Sequence, residues 1–216
     1  FSIRTREAGL LGLFGGLNLI QADYDNDQDI DVLVLRGGWQ GASDNPVNSL
    51  LQNDGQGRFR DVTFAAGLGE RHYPTQTAAW ADFDQDGKLD LYIGNENYPC
   101  QLFRNNGDGT FTNVARHAGV ENGEYTKGVI WGDFDNDRDP DLYVSNFGTP
   151  SRLSGATGAD VDRAFTADRG AENRLYRNQG DGTFVDVAKE LGVTRPAFSF
   201  PTWFWDYNND GVLDLS

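Results

Sequence analysis

An acidic nine-residue word occurs four times in this chain. It reads DYDNDQDID over Asp23–Asp31, DFDQDGKLD over Asp82–Asp90, DFDNDRDPD over Asp133–Asp141 and DYNNDGVLD over Asp206–Asp214. Positions 1, 3, 5 and 9 of every word carry a side-chain oxygen. Together with the backbone carbonyl of position 7, they form a set that can wrap one hard cation within a single loop, matching the six to eight oxygens calcium takes. The word returns at intervals of 59, 51 and 73 residues, so it marks a structural repeat as well as a site.

The candidate ligands follow position by position. The first word offers Asp23, Asp25, Asp27 and Asp31, with a further Asp29 at position 7. The second offers Asp82, Asp84, Asp86 and Asp90 with the carbonyl of Lys88, whose side chain can point away because only its carbonyl is used. The third offers Asp133, Asp135, Asp137 and Asp141, with Asp139 at position 7. The fourth offers Asp206, Asn208, Asp210 and Asp214 with the carbonyl of Val212; having the fewest carboxylates, it is the weakest by charge. Position 6 calls for a sharp turn. Gly87 and Gly211 supply it, whereas Gln28 and Arg138 lack that freedom and cost about 1 kcal/mol of backbone strain. Up to four calcium ions are expected. Magnesium is disfavoured because it keeps its waters, and zinc and iron because the words hold no His or Cys. An EF-hand is excluded: position 12 is Val34, Ile93 or Val144 rather than Glu, and it falls within a strand.

These words also explain the charge. The chain is 216 residues long with a formal charge of −15. The words hold five, four, five and three carboxylates, more than half of the 33 present, and the rest roughly balance the 18 Lys and Arg. The acidity is binding-site charge rather than a steering field. No basic stripe suggests nucleic acid, and no apolar run reaches the 18 or so residues of a membrane helix. The lone Cys100 excludes an intrachain disulfide and reads as a small buried residue. The opening FSIRTREAGL lacks the regions of a secretion signal, so any targeting segment is expected to be removed or to lie outside this chain.

A second block follows each word: NSLLQNDGQGRFRDVTFAAGL from Asn48, QLFRNNGDGTFTNVARHAGV from Gln101 and NRLYRNQGDGTFVDVAKELGV from Asn173. Phe59, Phe111 and Phe184 align, and each is followed eight residues later by Gly67, Gly119 or Gly192. Phe1 and Gly9 fit the same frame, which makes Phe1 the start of a last strand. Short apolar runs at Thr77–Trp80 and Val129–Trp131 enter the words. Continuous apolar runs leave them at Asp90 and Asp141, as strands buried on both faces do. Leu102–Asn105 and Leu175–Asn178 make third strands. The turns Gly107–Gly109 and Gly180–Gly182 supply positive φ for hairpins, and Phe111–Val114 and Phe184–Val187 make fourth strands. Ala115–Ala118 reads as a helical turn capped by its glycine. Four strands per repeated unit are the blades of an all-β propeller. The expected organisation is one propeller segment, 1–216, of about three to four blades. Its repeat units are 1–58, 59–110, 111–183 and a partial 184–216, with insert loops at 36–47 and 147–172. A longer chain, self-association or another chain is expected to complete it.

The frames WADFDQDGKLDLYIGN and NRLYRNQGDGTFVDV resemble the FG-GAP/VCBS-type repeats of extracellular propellers, most closely those of the ASPIC/UnbV (cartilage acidic protein-like) group. The resemblance covers nearly the whole chain outside the two inserts. It implies a seven- or eight-bladed, calcium-dependent propeller related in blade design to the integrin α head. It also implies that the Asp and Asn residues of the words are its ligands. Gln28 and Arg138 depart from the pattern, which prefers Gly.

The functional expectation is a secreted, cell-surface or periplasmic binding or adhesion module for protein or glycan. Candidate contacts are Trp39, His72, Tyr73, Tyr98 and Phe147, aromatic or polar residues in or beside predicted loops. An alternative is a polysaccharide lyase or hydrolase, for which Glu70, Arg71, His72, Glu96 and Tyr98 are the available ingredients. Another is a structural subunit of an extracellular assembly.

Overall fold

A computed structural model describes residues 2–36, 46–71, 73–148, 171–196, 199–200 and 202–216. Four antiparallel strands build each of three sheets. The first holds β1 (Asn18–Ala22), β2 (Asp31–Leu35), β3 (Ser49–Asn53) and β4 (Phe59–Asp61). The second holds β5 (Thr75–Ala81), β6 (Asp90–Asn95), β7 (Gln101–Asn105) and β8 (Phe111–Asn113), followed by the one-turn helix α1 (Ala115–Ala118). The third holds β9 (Tyr125–Gly132), β10 (Asp141–Phe147), β11 (Arg174–Asn178) and β12 (Phe184–Asp186). A two-stranded fourth pairs β13 (Phe204–Trp205) with β14 (Asp214–Leu215). Every four-stranded sheet is a simple meander, and β5 lies beside both β1 and β9. This is the blade architecture of a β-propeller.

The sheet is offset by one strand from the sequence unit. The hairpin turn with Gly55 and Gly57 at positive φ folds β4 back onto β3, so the strand that starts at Phe59 closes the first sheet. Each word is the connection between the first two strands. Its position-9 Asp pairs with the residue just before the word: Ala22 with Asp31, Ala81 with Asp90, Gly132 with Asp141, Trp205 with Asp214. Second strands are the most buried, as their apolar runs require. All six residues of β6 and the first six of β10 are buried. In β2, Leu33 and Leu35 join the core shared with the second sheet, while Val32 and Val34 point to the other face and are half-buried.

Two features of the sequence lock one blade to the next. The residue at position 2 of each word is aromatic, and in the first two words it meets two aromatics of the following blade. Tyr24 packs on Trp80 and Phe111, with ring centroids 6.2 and 5.7 Å apart, and Phe83 packs on Trp131 and Phe184, at 6.4 and 5.9 Å. Such pairs add about 0.5–1.5 kcal/mol each beyond their buried area. The second feature is the capping glycine. Gly119 ends α1 in the left-handed conformation, and a Cβ there would lie 3.3 Å from the carbonyl oxygen of Phe184; Gly67 stands the same way to Phe111. Only glycine serves both the positive φ and the close approach.

The start of the chain departs from expectation. Phe1 lies outside the described residues, and Ser2–Arg4 form no strand. The turn that follows does form: Gly9 has φ +74°, and Ala8 accepts the N–H of Phe59. A three-residue segment with no neighbouring strand among the described residues gains nothing from being extended.

Candidate metal centres and the opposite end of the blades

The words fold into one repeated loop. The position-1 carboxylate accepts the N–H of positions 5 and 6: Asp23 from Asp27 and Gln28, Asp82 from Asp86 and Gly87, Asp133 from Asp137 and Arg138, Asp206 from Asp210 and Gly211. The position-5 carboxylate accepts the N–H of position 7 at Asp27, Asp86, Asp137 and Asp210. Position 6 sits at positive φ throughout: +75° at Gln28, +84° at Gly87, +81° at Arg138 and +86° at Gly211. The strain expected at Gln28 and Arg138 is therefore present. Position 4 is also left-handed, at Asn26, Gln85, Asn136 and Asn209. An amide side chain stands there in all four words. That was the available signal, since Asn tolerates this region better than most residues.

Position 9 is a structural clamp. Asp31, Asp90 and Asp141 are buried, and each accepts two N–H groups: the word's own position 2 (Tyr24, Phe83, Phe134) and the last residue of the third strand (Asn53, Asn105, Asn178). Asp214 takes the N–H of Tyr207. Burial pushes the carboxyl of Asp31 up to about 6 and those of Asp90 and Asp141 up to about 7, against the two hydrogen bonds that lower them. Asp84 and Asp135 are raised too, by burial first and by the neighbouring carboxylates after it.

Among the described residues, three carboxylate groups could hold a cation. Asp23, Asp25 and Asp27, then Asp82, Asp84 and Asp86, then Asp133, Asp135 and Asp141 each bring ligand oxygens within 4.8 Å of one another. One oxygen of Asp25 and one of Asp84 are buried without a hydrogen-bond partner. A buried, orphaned carboxylate oxygen is costly unless something positive meets it. The donor set is all oxygen, the chemistry of a hard cation. In the fourth loop the amide of Asn208 donates to Asp210 within the word.

Two position-7 side chains lie elsewhere. Asp29 stands against Gly55, whose missing Cβ leaves it room, and Asp139 stands against Gly180 and accepts from Gln85. Neither carboxylate is among the three groups that gather their oxygens. The side chain of Lys88 folds across Gly107, with its ammonium on Asp86 at 2.5 Å. An ammonium beside three carboxylates is attracted to them, and the glycine turn leaves its stem a bed. Val212 carries no polar side chain and is half exposed.

The other end of the blades has a different character. Tyr73 and Tyr98 stack with centroids 4.9 Å apart, and Tyr98 is 44% exposed. Beside them Lys127 pairs with Glu96 at 3.4 Å and lies over the ring of Tyr125 at 4.2 Å. Phe147 packs between Tyr125 and Phe200. Three candidate contacts, Tyr73, Tyr98 and Phe147, thus gather where β6 and β10 end. Trp39 and His72 lie outside the described residues. The residues flanking both inserts are at this end as well. Arg36 is buried and donates to the carbonyls of Phe14 and Val47, while Asn173 accepts from the N–H of Asn146. Cys100 is buried with its sulfur 3.3 Å from the Thr126 hydroxyl, and burial raises its thiol.

Fold and loops together define an all-β propeller protein built from repeats, each closed by an acidic loop. The chain belongs to the FG-GAP-like repeat family, which it matches over residues 23–93, 82–144 and 159–215. It is 28% identical to cartilage acidic protein 1 of Xenopus tropicalis over 97% of its length, and 28% identical to the mouse and human proteins over 80%. It spans only 29%, 25% and 24% of those relatives. Its repeats are of the type found in that ASPIC/UnbV group. Among solved structures it is similar to an Agrocybe aegerita lectin described as recognising non-reducing terminal N-acetylglucosamine. The TM-score is 0.53 at 19% identity, covering 96% of this chain and 49% of that one.

Proposed function

We propose that this chain is a calcium-stabilised binding module that works outside the cell. Its contact surface for glycan or protein is the end of the blades opposite the acidic loops. The observation that carries this reading is the division of the molecule: carboxylates close one end, while the stacked Tyr73–Tyr98 pair, Phe147 and the flanks of both inserts occupy the other. An exposed tyrosine face is flat, amphipathic and cheap to order, the properties that suit sugar rings and protein loops alike. Loops of partly exposed carboxylates suit the weak, millimolar-range calcium sites of extracellular modules. The residues of the words named above would hold the ions and supply charge neutralisation at the blade turns. Residues 1–216 act as one propeller segment in this reading.

A binding role fits better than a polysaccharide-active enzyme. Glu96 is held by Lys127, and Glu70 and Arg71 are exposed at the surface. An acid and base facing one substrate are not assembled from the described residues. The test is a glycan and extracellular-protein binding screen in calcium and in chelator, with N-acetylglucosamine-terminated glycans as one arm. Binding that requires calcium and is lost in Tyr98→Ala supports the reading. Binding unaffected by Tyr98→Ala overturns the proposed surface.

A further inference from the structure

The position-4 amides do more than tolerate a left-handed backbone. The first three each reach into the next word, to an acceptor 53 to 75 residues further along the chain. Asn26 Nδ2 donates to the carbonyl of Gly87 at 3.2 Å, Gln85 Nε2 to the carbonyl of Arg138 at 3.0 Å and Asn136 Nδ2 to the carbonyl of Gly211 at 3.3 Å. The acceptor is always position 6. Its peptide plane leads directly into position 7, whose N–H is held by the position-5 carboxylate and whose carbonyl is the backbone ligand of the proposed site.

A second link runs the opposite way across two of these junctions. Asn105 Nδ2 donates to the carbonyl of Tyr24, and Asn178 Nδ2 to the carbonyl of Phe83, both at 2.8 Å. Those carbonyls belong to position 2 of the preceding word, next to Asp25 and Asp84 with their orphaned oxygens. The backbone N–H groups of the same two asparagines are held by Asp90 and Asp141, the position-9 carboxylates of their own blade. Each junction between the first three sheets is thus crossed twice, and both crossings end on peptides adjoining ligand positions.

We propose that the cation loops are coupled in series: the position-4 amide of one word fixes the position-6 carbonyl of the next, so that filling one loop raises the calcium affinity of its neighbour. The proposal rests on the cation reading above. Its physical basis is shared ordering. An empty loop of mutually repelling carboxylates must be immobilised before it binds, and a loop already gripped by an ordered neighbour has less freedom to lose. Gln85 is a positioning residue here and touches no cation.

The test is calcium titration of the whole chain by calorimetry, with calcium chloride alone as the probe. Hydrogen exchange reports which loops order. The unaltered chain should titrate with a Hill slope above 1. Gln85→Ala, which cuts the link between the second and third words, should reduce the slope and weaken the third loop by about fivefold or more. Asn209→Ala is the control: the same left-handed backbone receives the same alanine, but Asn209 makes no bond to a following word in this chain. It should keep the slope. Asn26→Ala and Asn136→Ala cut the other two links and serve if Gln85→Ala does not fold. No calcium uptake by the unaltered chain overturns the cation reading and the coupling with it. Uptake with a slope of 1, and Gln85→Ala indistinguishable from Asn209→Ala, overturns the coupling alone.

Discussion

The two ends of the same strands obey different rules. At the word end, four loops repeat one hydrogen-bond plan, the position-1 carboxylate taking the N–H of positions 5 and 6 and the position-5 carboxylate that of position 7. At the other end the strand ends still share a small plan, Thr75 donating to Asn95 as Thr126 does to Asn146, and Arg36 N–H to Asn48 as Asn146 N–H to Asn173, but the connections beyond them differ. The β2–β3 connection is opened by a buried arginine, the β6–β7 connection carries Tyr98, and the β10–β11 connection holds a long insert. Repetition is what blade assembly demands, because each blade must present the same edges to its neighbours. Recognition has no such requirement. In the function proposed above, stability belongs to one end and specificity to the other, and that division can be broken or sharpened by experiment.

The largest effect expected is from chelation. With free calcium at 100 times the dissociation constant, each filled site adds about 2.7 kcal/mol. At about 2–4 °C per kcal/mol for a chain of this size, emptying four sites lowers the melting midpoint by roughly 20 °C or more. A melt unchanged in excess chelator removes the cations from the stability of the word end. Next is the blade junction. Trp131→Ala deletes the ring between Phe83 and Phe184 and should cost about 3 kcal/mol in urea unfolding, with or without calcium. A loss seen only in calcium would merge the aromatic stack with the cation site.

Asp84→Ala comes third and changes sign with conditions. In calcium it removes a ligand and should cost about 2 kcal/mol, more than Asn208→Ala. In chelator it removes a buried, unpartnered oxygen beside two other carboxylates, and the melt should rise slightly. Destabilisation in both conditions contradicts the ligand assignment.

The pH response follows from the position-9 clamps. Asp31, Asp90 and Asp141 titrate in the folded chain at about 6, 7 and 7, above the ordinary value of 3.8. The fold therefore prefers them protonated when no cation is bound. That contribution is fully present below about pH 4 and is lost as pH rises through 6 to 7. In chelator the melting midpoint should fall between pH 5 and pH 8. In calcium, which needs the ionised forms, the slope should flatten or reverse. A chelated chain that gains stability over that range refutes the assignment. The smallest stability effect belongs to the far end: Tyr98→Ala should leave unfolding within about 0.5 kcal/mol while removing ligand binding.

The strands and the words were legible because their signals are local. Apolar runs, paired glycines and an oxygen every second residue can be read within ten positions. The capping turn at Ala115–Ala118 was legible for the same reason. What escaped was long-range. The position-4 amides look like ordinary loop residues until the fold carries Gln85 to Arg138. Asn105 and Asn178 look like strand ends until their amides are found in the preceding blade. The aromatic at position 2 recurs in every word, yet its partners, Trp80 for Tyr24 and Trp131 for Phe83, sit one blade away. A carbonyl ligand leaves the direction of the Lys88 side chain open, and only the bare glycine surface of the hairpin shows where it rests. At the far end, the Tyr73–Tyr98 stack depends on two connections of unrelated sequence meeting, which no single-window pattern encodes.

The blade junction has a consequence for how such proteins grow. Its two halves are unlike: one side offers a position-2 ring and a position-4 amide, the other a tryptophan, a phenylalanine and a position-6 carbonyl. One unit is therefore both plug and socket. Duplicating its coding segment creates a complete new interface without a single new side chain. Unlike halves also add head to tail, which closes into a ring when the rotation permits and runs on as a filament when it does not. Left-over halves between separate molecules would follow the same arithmetic.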